Sequence, residues 1–354
     1  MILFCFLVTV WFLAKVIYYG FSNRLRQQIK NQHRKSLWLS LYSFLLLAIV
    51  QIGCDNFRNC RAVDISNVET LPLLLSETGL YSDIKNDVIT DSALLFTPQY
   101  PLWTDGAEKR RWLILPENTK VNTKVEENWD FPVGTKLFKE FTSNGIRVET
   151  RMNVRTEQGW IAAAYLWNSD GSDAERQVEG IENASGTLHD VPSARQCLAC
   201  HGGRENFVLG FSATQLDTTT RATLYANGVL SDPSTSDVQL PSNVKKGLGV
   251  LHANCSHCHN ETRNQNALAT DCFNPQPEAD FDVTLPPNLS SLQDAPAIVT
   301  VLDDLLDGEV IERMSMRNRS TTDPSMPPLG TKRIDEEGIK AVQNLIDELI
   351  ANGQ

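Results

Sequence analysis

Cys197-Leu198-Ala199-Cys200-His201 and Cys255-Ser256-His257-Cys258-His259 are two copies of one pattern in a chain of 354 residues. In each copy two cysteines three positions apart are followed at once by histidine. On a helical turn, residues three and four apart share a face, so the second thiol and the imidazole can address one object. Cys-x-x-Cys-His is the attachment signature of c-type haem. Cys197, Cys200, Cys255 and Cys258 would bond the haem vinyl groups, and His201 and His259 would be the proximal iron ligands. The sequence therefore predicts two covalently bound c-type haems. Zinc ribbons also use paired Cys-x-x-Cys, but about 15–20 residues apart. Here 54 residues lie between Cys200 and Cys255.

Downstream of the second copy, Met326 sits in Ser325-Met326-Pro327-Pro328-Leu329-Gly330. Two prolines keep that loop from becoming helix, so it can present sulfur to an iron. Met314 and Met316 lack the Pro-Pro context. Helices are expected over Val244 to Asn254, Ile298 to Asp307 and Asp335 to Ala351, the last with Ile339, Val342, Ile346 and Ile350 on one stripe. Residues 272–296, rich in Pro and Asp, read as a loop. A helix leading into Cys-x-x-Cys-His, a Met-Pro loop and a terminal helix together resemble a cytochrome c domain over about residues 243–352. That resemblance implies Met326 as the sixth ligand of the second haem. For the first haem the sixth ligand stays open among His252, His189 and Met152. Without one, that iron would be five-coordinate and open to a small molecule. His257 is expected to be exposed.

Upstream, Ile146, Val148, Thr150, Met152 and Val154 alternate with Arg147, Glu149, Arg151, Asn153 and Arg155. A period of two marks a strand with one buried and one wet face. Arg111 to Leu115, Thr135 to Phe141 and Trp160 to Trp167 are similar. Turn signals such as Ser143-Asn144-Gly145 separate them. Residues 90–190 thus read as an antiparallel, sandwich-like β domain. Trp103, Trp112, Trp129, Trp160 and Trp167 fall there as candidate core. Gly79 is expected to stop a short helix, and Ala213 to Asn227 to form another.

Residues 1–53 contain no Asp or Glu and carry Lys15, Arg24, Arg26, Lys30, Arg34 and Lys35. Two apolar runs, Met1 to Tyr19 (with Lys15 as its single charge) and Leu37 to Ile52, flank a basic segment from Arg24 to Lys35. The second run looks like a signal or anchor segment that leaves the rest exported. Gln51-Ile52-Gly53-Cys54 resembles a lipoprotein cleavage box, with Cys54 as the lipidation candidate. Export permits a disulfide, with Cys60 and Cys272 as candidates. The chain carries a net charge of −11, and residues 1–53 hold only positive charge, so the body is more acidic still. That argues against nucleic-acid binding and fits redox partner proteins with basic docking surfaces.

Further strings extend the resemblance. They are residues 101–112 (PLWTDGAEKRRW), Phe131-Pro132-Val133-Gly134-Thr135, Glu149-Thr150-Arg151, Val191-Pro192-Ser193 and Leu251-His252-Ala253-Asn254-Cys255. Over about residues 70–350 the chain resembles a family of exported di-haem c-type cytochromes with an N-terminal β-rich region.

The expected fold class is α+β and multidomain. Its parts are a signal or anchor segment (1–53), a tether with a short helix (54–89), a β-rich domain (90–190), a first haem segment with linker (191–242) and a mainly α cytochrome c-like region (243–354). The expected function is electron transfer on the periplasmic side of a bacterial membrane, held there by the anchor or by lipid. The alternatives are a di-haem peroxidase-like enzyme with an open first haem, and a haem-linked dehydrogenase or binding protein.

Overall fold

Asn144 (φ 52°) and Gly145 (φ 75°) both take left-handed backbone, as a two-residue hairpin turn between strands requires. The strands they join are the centre of the fold. A computed structural model describes residues 66–354 except 127, 205, 234–235, 261–281, 318–324, 328–329 and 353–354. The expectations for the N-terminal segment, Cys54, Cys60 and Cys272 lie outside the described residues.

A short pair, β1 (Tyr81–Asp83) and β2 (Val88–Ile89), precedes the main sheet. The sheet comprises β3 (Leu94–Leu95), β4 (Glu108–Ile114), β5 (Lys136–Ser143), β6 (Ile146–Thr156), β7 (Gly159–Trp167) and β8 (Ala174–Gln177). All are antiparallel, and their order in the sheet repeats their order in the chain. Gly79 (φ 84°) ends the short 3-10 helix Leu75–Thr78, as expected.

The sandwich expectation is corrected. Among the described residues no second large sheet faces the first. Loops and helices cover it instead. One face carries Trp112, Phe138, Met152, Tyr165 and Trp167, packed under Leu75, Leu80 and Tyr81. The other carries Leu113 and Leu137, packed under Val208, Phe211, Leu216 and Leu230. The expectation of one wet face is corrected for the same reason, since Glu149 is 0% exposed and Arg111 6%. A register irregularity between Phe141 and Thr142 also breaks the alternation near Val148.

Six helices follow among the described residues: α1 (Ala194–His201), α2 (Thr218–Ala226), α3 (Ser242–Asn254), α4 (Pro296–Leu306), α5 (Glu309–Ser315) and α6 (Glu336–Ala351). Ser193 and Gln196 cap α1 reciprocally, side chain to backbone. Asp217 caps α2 through Thr220 N–H, so that helix starts later than Ala213.

α3 and α6 cross closely. A Cβ at Gly247 would lie 2.7 Å from the Ala341 carbonyl oxygen, so only glycine permits this approach. The buried stripe of α6 is Val342, Leu345, Ile346 and Leu349, whereas Ile350 is 60% exposed. They pack on Val244, Leu248 and Leu251 of α3.

Ala62–Gln354 form one compact unit, and the divisions expected after 190 and 242 fall inside it. No described helix is long and apolar enough to cross a membrane.

Candidate cofactor-binding site

The first Cys-x-x-Cys-His motif forms the last turns of α1, against β7. Cys197 packs with Ala162 and Phe207 in a small apolar cluster. Small alanines at 162 and 164 on β7 leave room for the helix to approach. Burial pushes the Cys197 thiol up to about 11 and the Cys200 thiol up to about 12, so both stay protonated at neutral pH.

His201 is held from behind. Its Nδ1 lies 2.7 Å from the Phe207 carbonyl oxygen. A carbonyl can only accept, so Nδ1 carries the proton and donates it there. Burial lowers the imidazole to about 4, which keeps the ring neutral. The lone pair of that neutral ring is therefore on Nε2. The Asn153 side-chain amide lies 3.3 Å from the same Nδ1, on the face of β6 turned to α1. A backbone carbonyl fixing one ring nitrogen while the other is presented outward is how proteins orient a metal-binding imidazole.

The second motif begins where α3 ends. Cys255 N–H bonds the Leu251 carbonyl, and the His259 and Cys258 N–H groups return to the Cys255 carbonyl at 2.8 and 2.9 Å. Residues 255–259 are thus a tight turn. Burial, then the neighbouring Cys258, pushes the Cys255 thiol up to about 12.

The two motifs touch. Gly203 lies against the His257 carbonyl, where a Cβ would stand 1.8 Å from the oxygen. Asn260 Nδ2 donates to the Gly203 carbonyl at 3.0 Å and to the Ser256 carbonyl at 2.7 Å. Cys200 lies within electrostatic reach of Cys258. His257 is therefore not exposed as expected. It is 6% exposed because its backbone forms this junction.

Met326 is half-buried on the loop between α5 and α6. Its N–H donates to the Arg313 carbonyl at 3.0 Å. The same loop is fastened farther on by Asp105, whose Oδ1 accepts from Lys332 N–H and from Arg333 N–H, both at 2.8 Å. Asp105 (φ 56°) and Gly106 (φ 78°) make the turn that aims this carboxylate. Trp103 N–H donates to Asn254 Oδ1 at 2.7 Å, and its indole N–H to the Arg333 carbonyl at 3.1 Å. Trp103-Thr104-Asp105-Gly106 is thus a latch between the sheet region, the end of α3 and the Met326 loop.

The three candidates for a sixth ligand at the first motif are all engaged elsewhere. Met152 is corrected outright. Asn153 faces His201, so Met152 points to the opposite face, where it is 1% exposed among Trp112, Phe138 and Trp167. Met152→Leu should change stability by under about 1.5 kcal/mol, since the swap conserves volume. It should also leave the visible spectrum of the matured protein unchanged, and a shifted spectrum would return Met152 to the ligand set. His252 Nδ1 accepts from Leu285 N–H at 3.0 Å, so its neutral ring carries the proton on Nε2. His189 Nε2 lies 2.6 Å from Glu149 Oε1 in a buried pair, where the carboxylate can only accept.

Sequence reading did not find Phe207, Asn153, Gly203 or Asn260. Only Asn153 carried a signal, because the strand period sets its face. Among the described residues no group of three or more His, Cys, Asp or Glu is arranged to hold a bare metal ion. Comparison with protein-family models, curated proteins and solved structures found no match to this chain.

Proposed function

We propose that this chain is a di-haem c-type cytochrome that passes electrons on the exported side of a bacterial membrane. The observation that carries the reading is His201. Its Nδ1–H is spent on the Phe207 carbonyl and its ring is neutral, so Nε2 is poised as a ligand. The protonated thiols of Cys197 and Cys200 sit one helical turn from that ring, on a capped helix. The residues at the first motif fit a haem held by Cys197, Cys200 and His201. The second haem, held by Cys255, Cys258, His259 and Met326, follows from the repeated motif and the Met-Pro loop. Bound haem iron would supply one-electron exchange between ferric and ferrous states. The chain's part is to anchor, orient and bury it. Direct backbone contact between Gly203 and His257 supports treating both motifs as one electron-transfer unit.

The cytochrome c-like reading of residues 243–354 belongs to the same proposal. Its support is the close crossing of α3 and α6 and the fastened Met326 loop. Anchoring by the N-terminal segment, lipid on Cys54 and docking to basic redox partners complete it, on the sequence pattern alone.

Residues 55–354, exported in a host that matures c-type cytochromes, should carry two haems per chain by mass and by alkaline pyridine spectrum. A colourless product with the mass of bare polypeptide would end the reading.

A second reading has the first iron open to small molecules, as a peroxidase-like enzyme requires. The engagement of Met152, His252 and His189 favours it. Carbon monoxide should then perturb the reduced spectrum of one haem in two. A spectrum indifferent to carbon monoxide and to peroxide would leave electron transfer alone.

A further inference from the structure

The sheet face turned to α1 carries a row of cations. Arg111 of β4 pairs directly with Lys139 of β5, and Lys139 with Arg151 of β6. Directly paired residues point to one side, their Cβ atoms about 5 Å apart, and like charges there repel. Lys109, two positions from Arg111 on β4, joins the same face.

The row is poorly compensated. Arg151 pairs with Glu149 at 2.5 Å, and His189 shares that carboxylate. Lys109 donates to the Leu102 carbonyl at 2.6 Å. Arg111 is only 6% exposed. Among the described residues neither its guanidinium nor the Lys139 ammonium has an ion-pair or hydrogen-bond partner. Lys139 merely lies 5.1 Å from the centre of the Phe141 ring.

The opposite face of the same strands is different. There Arg110 and Arg147 are matched by Glu140 and Asp87. On the face that meets the first motif, Glu149 serves Arg151, and Asp105 and Asp335 lie within electrostatic reach of Lys109, which leaves Arg111 and Lys139 without a carboxylate of their own. Burial, then Arg111, Lys109 and Arg151, depress Lys139 well below its ordinary value. Lys139 and Arg151 also lie within electrostatic reach of Cys200 and His201. Arg111 is buried, whereas Lys109, Lys139 and Arg151 are half-buried, so negative charge added beside Arg111 and Lys139 would offset their mutual repulsion.

We infer that Arg111 and Lys139, flanked by Lys109 and Arg151, form a carboxylate- or oxyanion-binding site beside the first Cys-x-x-Cys-His motif. Two sources supply that chemistry. One is the propionate groups of the haem proposed at Cys197 and Cys200, which rests on the reading above. The other is a free small oxyanion entering beside the same motif. In either case the paired guanidinium and ammonium donate charge-assisted hydrogen bonds to the anion.

The test uses the matured full chain, with Arg111→Gln, Lys139→Gln and the exposed control Lys246→Gln. Haem is counted first. Fewer than two haems in the wild type defeats the cytochrome reading without touching the cation row.

Propionate ligation predicts that both neutral variants shift the propionate bending bands in resonance Raman and lower the midpoint potential of the first haem. The control should shift neither. A free oxyanion predicts that the wild type binds nitrite or phosphate by calorimetry, and that both neutral variants bind at least tenfold more weakly. Arg111→Lys and Lys139→Arg, which keep the charge, should retain most of whichever signal is seen. The inference is overturned if the bands stay fixed and no nitrite or phosphate binding is lost. It is also overturned if the charge-keeping variants are as impaired as the neutral ones, because the effect is then one of packing.

Discussion

Gly203→Ala is expected to lower the stability of the chain by about 3 kcal/mol or more, through overpacking against a rigid neighbour. The added methyl would stand 1.8 Å from the His257 carbonyl oxygen, so backbone must move. That movement pulls the Gly203 carbonyl away from Asn260 Nδ2. One side of the junction, His257, lies inside the second motif and the other, Gly203, lies two residues past the first, so the damage should reach both. In thermal melts of the matured protein the midpoint should fall by roughly 6 °C or more. The yield of chains carrying two haems should fall with it. A variant melting within a degree of the wild type would show that the two motifs do not lean on one another as described.

Glu149→Ala should be comparably damaging for an electrostatic reason. Glu149 is 0% exposed and takes hydrogen bonds from Arg151 and His189. Removing one partner of a buried charged group leaves the other uncompensated, a loss of ~3–5 kcal/mol. Here the face is already rich in cations, so the loss should sit at the upper end. The double variant Glu149→Met with Arg151→Met removes opposite charges together. It should recover a substantial part of the stability, and urea titrations of the four combinations measure the coupling directly. Additive losses would refute the pairing.

Burial raises the Glu149 carboxyl, but Arg151 and His189 outweigh that and hold it below its ordinary value. A carboxyl depressed on folding stabilises at pH above its unfolded value and loses that contribution as pH falls through the folded one. The Glu149 contribution should therefore be intact at neutral pH and fade only in acid below the usual carboxylate range.

Strands were legible because alternation at Ile146 to Arg155 and the turn at Asn144-Gly145 are local signals. What covers the sheet was not. A face lined by Glu149 and Arg151 reads as wet in sequence, and only tertiary packing of α1 and residues 207–230 makes it interior. Met152 misled for a related reason. The strand period says that it is buried, but does not say on which side the motif helix packs. Helix α1 was readable as a motif, and its Ser193–Gln196 cap follows a known spacing. The Phe207 carbonyl that orients His201 had no signal at all, because any residue supplies a carbonyl. The burial of His257 comes from its backbone meeting Gly203, a long-range contact that no local pattern encodes. Ile350 was misplaced because the face of α6 that packs on α3 is centred on Val342, Leu345 and Leu349, one position round the helix from Ile350, and the close approach at Gly247 falls on Ala341 and Leu345.

The match between strand order and chain order bears on how the molecule is made. Each strand meets the one synthesised just before it, so every contact is local in sequence, the longest connection being the one from Ile114 to Lys136. The whole meander, ending at Gln177, can be zipped up while Cys197 is still emerging. A finished platform, already bearing Arg111, Lys139 and Arg151, would then greet the first motif on arrival, and cofactor loading becomes a docking step onto a waiting wall.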